Sequence, residues 1–511
     1  MKNLRVISRL DIKGSNVIKG IQFEALRVIG NPKDLARKYY KDGIDEIIYV
    51  DTVANLYNRS KIVDIVYEAS RNISIPLTAG GGVRTLKDIE EILNAGADKV
   101  FINTQATKSP KFIKEAAKIF GSQCIVLSVE AKNLKKNKWE AYTDSGREPS
   151  GLDVLDWIKK AEDLGAGEIF LTSIDRDGTK KGLDIDLIKA ASNKTSLSLV
   201  VSGGYGEIQH LNELKNIQNI NGLAIGSAFH YEKSSILEVK NSLKNNFVIR
   251  KLNIKKNRNE KKGSSVLDLK VDYNKYSFRQ MGNASLKVKN QKESLFRIKK
   301  KKQFKIGVIN YGINNLQSVV NALNKIKARA SWVNTPEEIM NSEKIILPGI
   351  GAFNEGMKGL KKNNLINALK QKVNEGTPIL GICLGMQLLF SESFEFGKYR
   401  GLNLIKGKVI SLKKNKEIKI PHIGWSQTTI NKRLNQNILK NLKDNENYFY
   451  FVHSYMAVPF NKKIISSETN YGKNKICSSI QYKNIFGTQF HPEKSGEIGA
   501  KVLKNFVDIK I

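Results

Sequence analysis

The chain contains little cysteine and little histidine, with three cysteines and five histidines in 511 residues. The cysteines, Cys124, Cys383 and Cys477, are widely spaced and odd in number, which excludes a disulfide framework and favours a reducing compartment. No histidine pairs with a cysteine at metal-ligand spacing, so a zinc site is not expected. We predict a cytoplasmic protein that uses no metal and no other cofactor.

Long apolar runs are missing as well. No run reaches the ~18 residues of a membrane-spanning helix, and residues 1–19 lack the apolar segment of a signal peptide. The net charge of +36 is typical of nucleic-acid-binding proteins. Lysine, asparagine and isoleucine are abundant throughout, however, and no RNA- or DNA-binding motif occurs. We interpret the charge as compositional drift and expect no nucleic acid and no membrane as partner; a nucleic-acid-binding module would rest on charge alone.

The first half of the chain has a repeating α/β pattern. Over residues 4–248, apolar strands such as "EIIYVD", "KVFINT", "CIVLSVE" and "EIFLTSID" alternate with amphipathic helical stretches, which predicts a closed (β/α)8 barrel, the TIM barrel. An internal repeat of roughly 120 residues matches Asp11 with Glu130 and the glycine run 80–82 with 202–204. The repeat places two acids on opposite sides of the barrel mouth.

The second half is a separate α/β domain. Residues 251–303 are basic, polar and aperiodic, which favours a flexible linker. From "FKIGVINYG" onwards, strands and helices alternate again. We predict a barrel over residues 1–250, a basic flexible linker over 251–303 and the second α/β domain over 304–511. The last barrel helix runs antiparallel to the strands, so the chain leaves the barrel at its bottom face.

The stretch "GICLG" has the spacing of a nucleophile elbow, the sharp strand-to-helix turn that exposes one side chain. Its central residue is Cys383, and the helix N-terminus that follows would stabilise a thiolate and an oxyanion. In "QFHPEKS", His491 follows an apolar strand and Glu493 lies two residues on. Together these residues predict a nucleophile, its base and the acid that orients the base, as acyl transfer requires.

These motifs carry a family resemblance. "GICLGMQ" and "FHPEKS" resemble the class I glutamine amidotransferases, and "PGIGAF" and "PHIGW" resemble the glutaminase subunit of the imidazole glycerol phosphate synthases, over residues 305–511. The resemblance implies that Cys383 attacks the glutamine carboxamide, His491 moves protons and Glu493 orients it. It also implies an oxyanion strand and a glutamine-binding residue, which are Gly349, Ile350, Gly351 and Gln387. The product would be ammonia.

Residues 1–248 resemble the cyclase subunit of the same family through "RLDIK", "AGGGV", "GADKVFINT", "LTSIDRDGT" and "AIGSAFHY". The resemblance implies a bis-phosphate ribonucleotide substrate that ammonia converts to imidazole glycerol phosphate and aminoimidazole carboxamide ribonucleotide, with Asp11 and Glu130 as acid and base. It implies phosphate-binding residues Gly82, Asn103, Thr104, Asp177, Gly178, Gly204, Gly226 and Ser227.

Two residues depart from the family pattern. Glu130 stands where the family has aspartate, and Arg9 stands where it usually has a small residue. Arg9 shares strand parity with Asp11, so we expect it to point into the barrel, pair with that acid and lower its pKa. Both departures keep a second hypothesis open, in which the barrel conducts ammonia to a separate sugar amidotransferase of surface-glycan synthesis.

The resemblance also implies that the two domains dock. Four charged residues would ring the bottom opening of the barrel as an ammonia gate: Arg5, Glu46, Lys99 and Glu168. Asp98 and Lys494 match an ion pair between the domains, and Trp425 matches an interface aromatic. Because the linker leaves the barrel at the same bottom face, docking there is also expected from the chain path.

Overall fold

The first domain of the computed structural model is a ring of eight parallel strands. In chain order these strands are Arg5–Lys13, Glu46–Asp51, Leu77–Gly80, Lys99–Ile102, Ile125–Lys135, Glu168–Ser173, Ser198–Ser202 and Gly222–Ile225. The first strand pairs with the second and also with the eighth, which closes the ring. Most positions along these strands are buried, as expected for parallel strands covered on both faces. The predicted (β/α)8 barrel is confirmed.

Helices surround the barrel. The α-helices are Pro32–Lys41, Ile62–Asn72, Leu86–Asn94, Thr104–Lys108, Lys111–Phe120, Val154–Leu164, Ile185–Lys194, Ser227–His230 and Ile236–Leu243, with 3-10 helices at Ser122–Cys124 and Ile208–Asn216. Several begin at side-chain caps. Thr85 and Asp88 form a reciprocal capping box, and Asp153 accepts from the N–H groups of Leu155 and Asp156. These caps satisfy N–H groups that the first turn leaves unpaired.

Two β-hairpins fold over the mouth of the barrel. Strands Asn16–Ile21 and Glu24–Gly30 extend the first barrel strand, and strands Lys138–Thr143 and Glu148–Asp153 extend the fifth. Their positions repeat between the two halves of the barrel, like the acids matched in the sequence. At the bottom, the short strands Lys2–Asn3 and Phe247–Val248 pair beside the first barrel strand.

The second domain contains an eight-stranded sheet. Its strand order is Ala330–Val333, Ile306–Ile309, Lys344–Leu347, Ile379–Ile382, Ile485–Thr488, Asn474–Tyr482, Ile465–Tyr471 and Thr429–Ile430. The first five strands are parallel and the rest antiparallel. Two smaller sheets consist of Tyr399–Arg400, Phe390–Ser393, Ile405–Ser411 and Tyr455–Pro459, and of His422–Gln427 and Tyr448–His453. Its helices are Leu316–Lys325, Pro336–Met340, Phe353–Lys362, Leu365–Asn374, Leu384–Leu388 and Gly496–Val507, with 3-10 turns at Lys462–Ile464 and Pro492–Lys494.

The structure describes residues 2–54, 62–217, 219–250, 306–312, 315–414, 418–431, 438–442 and 447–510. The predicted linker, residues 251–303, lies outside the described residues, so it stays a prediction. The barrel and the second domain form one compact unit, and the hydrophobic core of the barrel extends to Ile423, Trp425, Tyr450 and Val452 of the second domain. The two halves therefore share a buried interface.

Candidate active sites

The nucleophile elbow lies at the end of the central strand Ile379–Ile382. Cys383 has a φ of 51° and a ψ of −104°, a backbone conformation that is costly for a non-glycine residue. The flanking glycines allow the turn, because a Cβ on Gly381 would lie 2.7 Å from the backbone of Met386, and one on Gly385 would lie 1.7 Å from the Leu347 carbonyl oxygen. This strained turn holds the thiol at the carboxyl edge of the sheet.

The histidine and glutamate follow the neighbouring strand, Ile485–Thr488, which pairs with the cysteine-bearing strand. His491 Nδ1 lies 2.7 Å from Glu493 Oε1, and Asn315 Nδ2 donates to the same oxygen at 3.0 Å. Burial disfavours the imidazolium, but Cys383 and Glu493 outweigh it and hold the pKa of His491 well above its ordinary value. The carboxylate thus fixes the ring so that Nε2 is free to serve the thiol.

A pair of glutamines holds the other side of the thiol. Gln489 Nε2 donates to Cys383 Sγ at 3.5 Å, and Gln489 Oε1 accepts from Gln387 Nε2 at 3.1 Å. Gln387 also donates to the Tyr455 carbonyl at 2.9 Å. Gln387 therefore braces Gln489 from the side opposite the thiol.

The predicted oxyanion strand runs beside the elbow. The Gly349 carbonyl accepts from the N–H of Leu384 at 3.4 Å, and the Gly351 carbonyl accepts from Gln123 Nε2 of the barrel at 3.5 Å. Ile350 is buried between them. The strand thus touches both the helix N-terminus after the nucleophile and a barrel side chain.

At the barrel mouth, a buried ion cluster surrounds Asp11. Arg9 Nε lies 2.7 Å from Asp11 Oδ1, and Lys19 Nζ lies 2.9 Å from Asp11 Oδ2 and 2.7 Å from Asp177 Oδ2. Arg9 Nη1 also donates to Thr172 at 3.2 Å. Burial alone would raise the pKa of Asp11, but Arg9 and Lys19 outweigh it and hold the pKa well below its ordinary range. Arg9 points inward beside Asp11 and lowers its pKa, as the sequence predicted.

Glu130 has a contrasting environment. Its Oε2 accepts from Asn103 Nδ2 at 3.1 Å and from the N–H of Gly146 at 2.7 Å. Burial raises the pKa of Glu130 to about 7, although Arg9 and the Gly146 N–H oppose the shift. The mouth therefore combines an ionised carboxylate at Asp11 with a carboxyl that titrates near neutrality, the arrangement that separates acid from base.

The first predicted phosphate group lines a cavity of about 40 Å³ at the mouth. Gly82 contributes a positive φ of 70°, Asn103 contacts Glu130, and Thr104 donates to Asp144 at 3.2 Å. The second hairpin covers this group, since Asp144 belongs to its turn. The three residues lie on the same side of the mouth as Glu130.

The second predicted phosphate group lies where three loops meet: Asp177, Gly178, Gly204, Gly226 and Ser227. Asp177 forms an ion pair with Lys19, which it shares with Asp11. A Cβ on Gly178 would lie 2.3 Å from the Gly20 carbonyl oxygen, which shows how closely the first hairpin covers this loop. The next loops present Gly226 beside Lys19 and His230.

At the bottom of the barrel, two cations and two carboxylates alternate in a closed ring, which we call the gate ring: Arg5, Glu46, Lys99 and Glu168. Arg5 Nη1 lies 2.6 Å from Glu46 Oε2, and Lys99 Nζ lies 2.8 Å from Glu46 Oε1; both cations also contact Glu168. All four are fully buried. Above the gate ring, an apolar layer fills the interior: Ile7, Ile48, Val50, Phe101, Val126, Phe170, Val200 and Ala224.

The predicted interface residues join the two domains. Lys494 Nζ lies 2.8 Å from Asp98 Oδ2 and donates to the Gly96 carbonyl at 3.0 Å. Trp425 donates from its indole to the Asp45 carbonyl at 3.2 Å, and the guanidinium of Arg250 lies 4.2 Å from its ring. The bottom of the barrel therefore faces the second domain.

Tyr450 lies between the two sites. Its ring centroid is 6.5 Å from that of His491, and its side chain lies near Arg5 and Glu46 of the gate ring. Among the residues that the structure describes, its buried hydroxyl has no hydrogen-bond partner. The tyrosine thus connects the glutaminase-like centre with the barrel axis.

Comparison with known proteins agrees with both halves. The family model "Histidine biosynthesis protein" matches residues 5–235, and "Glutamine amidotransferase class-I" matches residues 307–509. The chain is similar to the imidazole glycerol phosphate synthase subunit HisF of Legionella pneumophila, with 52% identity over 212 residues, which are 42% of this chain and 100% of that protein. The chain belongs to the imidazole glycerol phosphate synthase family.

Membership of the imidazole glycerol phosphate synthase family establishes the coarse function. The chain is an enzyme, a glutamine amidotransferase joined to a cyclase-type barrel, it acts in histidine biosynthesis, and glutamine is a substrate. The predicted fold and family resemblance are thereby confirmed. Nothing in the comparisons supports a sugar amidotransferase as partner. Within the described ranges, no helix has both the length and the apolar character to cross a membrane.

Some site residues of this imidazole glycerol phosphate synthase homologue were not predicted from its sequence. Lys19 belongs to the first hairpin, and only the folding of that hairpin over the mouth brings it to Asp11 and Asp177. Gln489 and Asn315 contact the cysteine and the glutamate from other strands and loops. The one available signal is the position of Gln489, directly after the strand Ile485–Thr488 and two residues before His491.

The buried ion pair between Asp98 and Lys494 makes a testable prediction. Lys494→Met should lower the free energy of unfolding by about 3–5 kcal/mol, because it leaves a buried carboxylate without its cation. Denaturant unfolding of the full chain measures the change. The matched control is Lys504→Met, which removes an exposed ion pair with Asp508 and should cost less than ~1 kcal/mol. Equal costs for the two variants would contradict the prediction.

Proposed function

We propose that this chain is a bifunctional glutamine amidotransferase and cyclase that transfers ammonia through the axis of its barrel. The proposal rests on one observation, that the cysteine centre and the two-acid mouth lie at opposite ends of an interior crossed by the gate ring and the apolar layer. The products would be imidazole glycerol phosphate and aminoimidazole carboxamide ribonucleotide, as the family resemblance implies.

The glutaminase step would follow thiol chemistry. The Cys383 thiolate attacks the carboxamide carbon of glutamine, His491 gives a proton to the departing nitrogen, and ammonia leaves as the thioester forms. Water activated by His491 then cleaves the thioester, releasing glutamate and restoring the thiol. Glu493 keeps the ring oriented through the 2.7 Å contact at Nδ1. Gln489 would stabilise the thiolate by its N–H donation.

Ammonia is useful to the barrel only while it is neutral. The route would pass Tyr450 and then the gate ring, one of whose cations must swing aside to open it. Beyond the ring, the apolar layer excludes water and offers no proton donor, so an ammonia molecule entering it stays unprotonated. The layer therefore favours delivery of a nucleophile rather than of ammonium.

At the mouth, the two acids would divide the work. Asp11, held ionised by its two cations, suits a base, and Glu130, with a pKa of about 7, suits an acid near neutral pH. Ammonia adds to the bis-phosphate substrate, the imidazole ring closes, and the carboxamide ribonucleotide leaves.

Competition between nitrogen sources tests the proposal. The full chain is given the bis-phosphate substrate, glutamine labelled with ¹⁵N in its amide, and an excess of unlabelled ammonium. Direct transfer through the barrel predicts that the imidazole product keeps nearly all of the label. Lys99→Met, which breaks the gate ring, should let the label be diluted several-fold, and the exposed Lys111→Met serves as matched control.

Two results would overturn the proposal. Dilution to the solution ratio in the unmodified protein would exclude transfer through the barrel. Glutamine hydrolysis with no imidazole product, even with ammonium salt, would exclude the cyclase and favour a barrel that only conducts ammonia. Because Lys99→Met leaves two carboxylates with one cation fewer, ammonium-dependent turnover and the thermal midpoint are measured beside it.

A further inference from the structure

Two buried histidines have no place in the proposed chemistry. His422 lies in "PHIGW" and His453 in "FVHSY", and the two are direct partners across the paired strands His422–Gln427 and Tyr448–His453. His422 Nδ1 lies 3.0 Å from His453 Nε2. Burial lowers the pKa of His453 to about 4 and that of His422 well below its ordinary value. Both rings are neutral at pH 7, so each carries one N–H and one bare nitrogen.

The direction of the hydrogen bonds through this pair follows from one carbonyl. His453 Nδ1 lies 2.9 Å from the Tyr455 carbonyl oxygen, which can only accept. Nδ1 of His453 must therefore carry the proton, and its Nε2 must accept from His422 Nδ1–H. His422 Nε2 is then bare and accepts from the Ser426 hydroxyl at 2.8 Å. In this arrangement of hydrogen bonds, both histidines are Nδ1–H tautomers.

On the His422 side, the histidine pair is connected to the barrel through Ser426. Ser426 Oγ accepts from Asn3 Nδ2 at 3.0 Å, and Asn3 lies on the short strand at the bottom of the barrel, two residues before Arg5 of the gate ring. With Asn3 donating to it, the Ser426 hydroxyl directs its own proton to His422. The contact between the domains thus favours the same direction that the Tyr455 carbonyl requires at the other end of the pair.

On the His453 side, the histidine pair is connected to the Cys383 thiol through the Tyr455 carbonyl. The Tyr455 carbonyl accepts a second hydrogen bond from Gln387 Nε2 at 2.9 Å, and Gln387 holds Gln489, whose Nε2 donates to Cys383 Sγ. An unbroken series of hydrogen bonds therefore connects the barrel with the nucleophile, in the order Asn3, Ser426, His422, His453, the Tyr455 carbonyl, Gln387, Gln489 and Cys383.

Two arrangements of the protons are chemically possible for a neutral histidine pair. If both protons moved to Nε2, the bare Nδ1 of His453 would face the lone pairs of the Tyr455 carbonyl, and the Ser426 proton would lose its acceptor. A buried acceptor opposed to another acceptor is costly. The carbonyl would then shift, and with it the amide of Gln387. An element with two arrangements that both ends can bias is the physical requirement for coupling between sites.

We propose that His422 and His453 are positioning residues that couple docking of the barrel to the alignment of the Cys383 thiol. Docking places the Asn3 amide on Ser426, which stabilises the Nδ1–H state of both rings together with the Tyr455 carbonyl and so orients Gln387 and Gln489 at the sulfur. The proposal rests on the role of Cys383 proposed above. It assigns the two histidines to coupling between the domains and to no proton transfer with substrate.

The tautomers of the two histidines are the first test. The full chain has only five histidines, so ¹⁵N labelling of histidine gives a spectrum simple enough to assign with single His→Gln variants. We expect both His422 and His453 to carry their proton on Nδ1. A proton on Nε2 of either ring would overturn the proposal, and this readout does not depend on catalysis.

The second test reverses the hydrogen bond between Asn3 and Ser426. Asn3→Asp replaces the donor by an acceptor that competes for the Ser426 proton, so we expect the Nε2–H tautomers to appear and glutaminase kcat to fall roughly 5- to 30-fold with KM little changed. Asn241→Asp, on an exposed helix of the barrel, makes the same charge change and should alter neither readout. Asn3→Asp without a change of tautomer would overturn the proposal.

Combining Asn3→Asp with His453→Asn distinguishes an effect transmitted through the histidine pair from a general loss of structure. His453→Asn keeps a donor near the Tyr455 carbonyl but removes the contact with His422, so Asn3→Asp should have no further effect on kcat in that background. Full additivity of the two effects would overturn the proposal. Cys383→Ala tests separately whether Cys383 is the nucleophile. If this variant still hydrolysed glutamine, the proposed function would fail, but the result on the histidine tautomers would be unaffected.

Discussion

Cys383→Ala is expected to abolish glutamine-dependent turnover, by about 10⁴- to 10⁶-fold in kcat, and to leave turnover with ammonium salt within a few-fold of the unmodified protein. The thiol is the only group at the elbow that can form the thioester, and the strained turn at residue 383 tolerates alanine no worse than cysteine. The barrel acids lie at the far end of the apolar layer and are not touched. Product formation with glutamine and with ammonium, measured on the same preparation, gives both values.

Cys477→Ala is the matched control for this loss. Cys477 is also buried, but its Sγ contacts the Ser479 carbonyl on an antiparallel strand away from the elbow. We expect it to cost some stability through the lost packing and to keep both activities. A comparable loss of ammonium-dependent turnover in Cys383→Ala would contradict the proposed division between a hydrolytic and a cyclising site.

The sequence predicts the positions of site residues on strands better than those of site residues on hairpins. Strand parity alone places Arg9 and Asp11 in the barrel interior, since side chains of alternate residues share one face. The elbow glycines also predict the tight turn at Cys383, because their missing Cβ atoms are what permits the approach of Met386 and Leu347. These features depend on local periodicity and sterics, which a sequence carries directly.

The remaining site residues depend on tertiary contacts. Lys19 reaches Asp11 only because the first hairpin folds back until Gly20 meets Gly178. The pairing of His422 with His453 depends on the register of two strands that are far apart in sequence. The family resemblance names the four residues of the gate ring, but which of them contact one another follows from the order of the barrel strands. No local pattern encodes such contacts.

The ion cluster at the mouth would make the basicity of Asp11 depend on substrate binding. With Arg9 and Lys19 both on Asp11, the carboxylate is ionised but enclosed by cations. A phosphate dianion arriving near Gly204 would compete with Asp177 for Lys19, which would withdraw one cation from Asp11. We expect the basicity of Asp11 to rise on substrate binding for this reason.

Glu130→Gln is expected to lower cyclase turnover by about 10² to 10⁴-fold with either nitrogen source, because it removes the group that gives a proton near neutral pH. Glutamine hydrolysis without the bis-phosphate substrate should be unchanged. In the unmodified protein Glu130 is protonated below its pKa of about 7 and ionised above it, so ammonium-dependent kcat should fall as pH rises through that value. A pH profile of kcat at saturating substrate measures this limb.

A substitution at Arg9 should shift the pH at which ammonium-dependent kcat falls. Arg9 favours the ionised form of Glu130 and thereby lowers its pKa, so Arg9→Met should raise the pKa and move the falling limb to higher pH. Arg176→Met is the matched control, since Arg176 lies on an exposed loop of the mouth and contacts neither acid. If the fall of kcat with rising pH kept its position in Arg9→Met, a group other than Glu130 would be titrating. The same would follow if the fall persisted in the residual activity of Glu130→Gln. In that case Asp11 and Glu130 would not share the roles of base and acid.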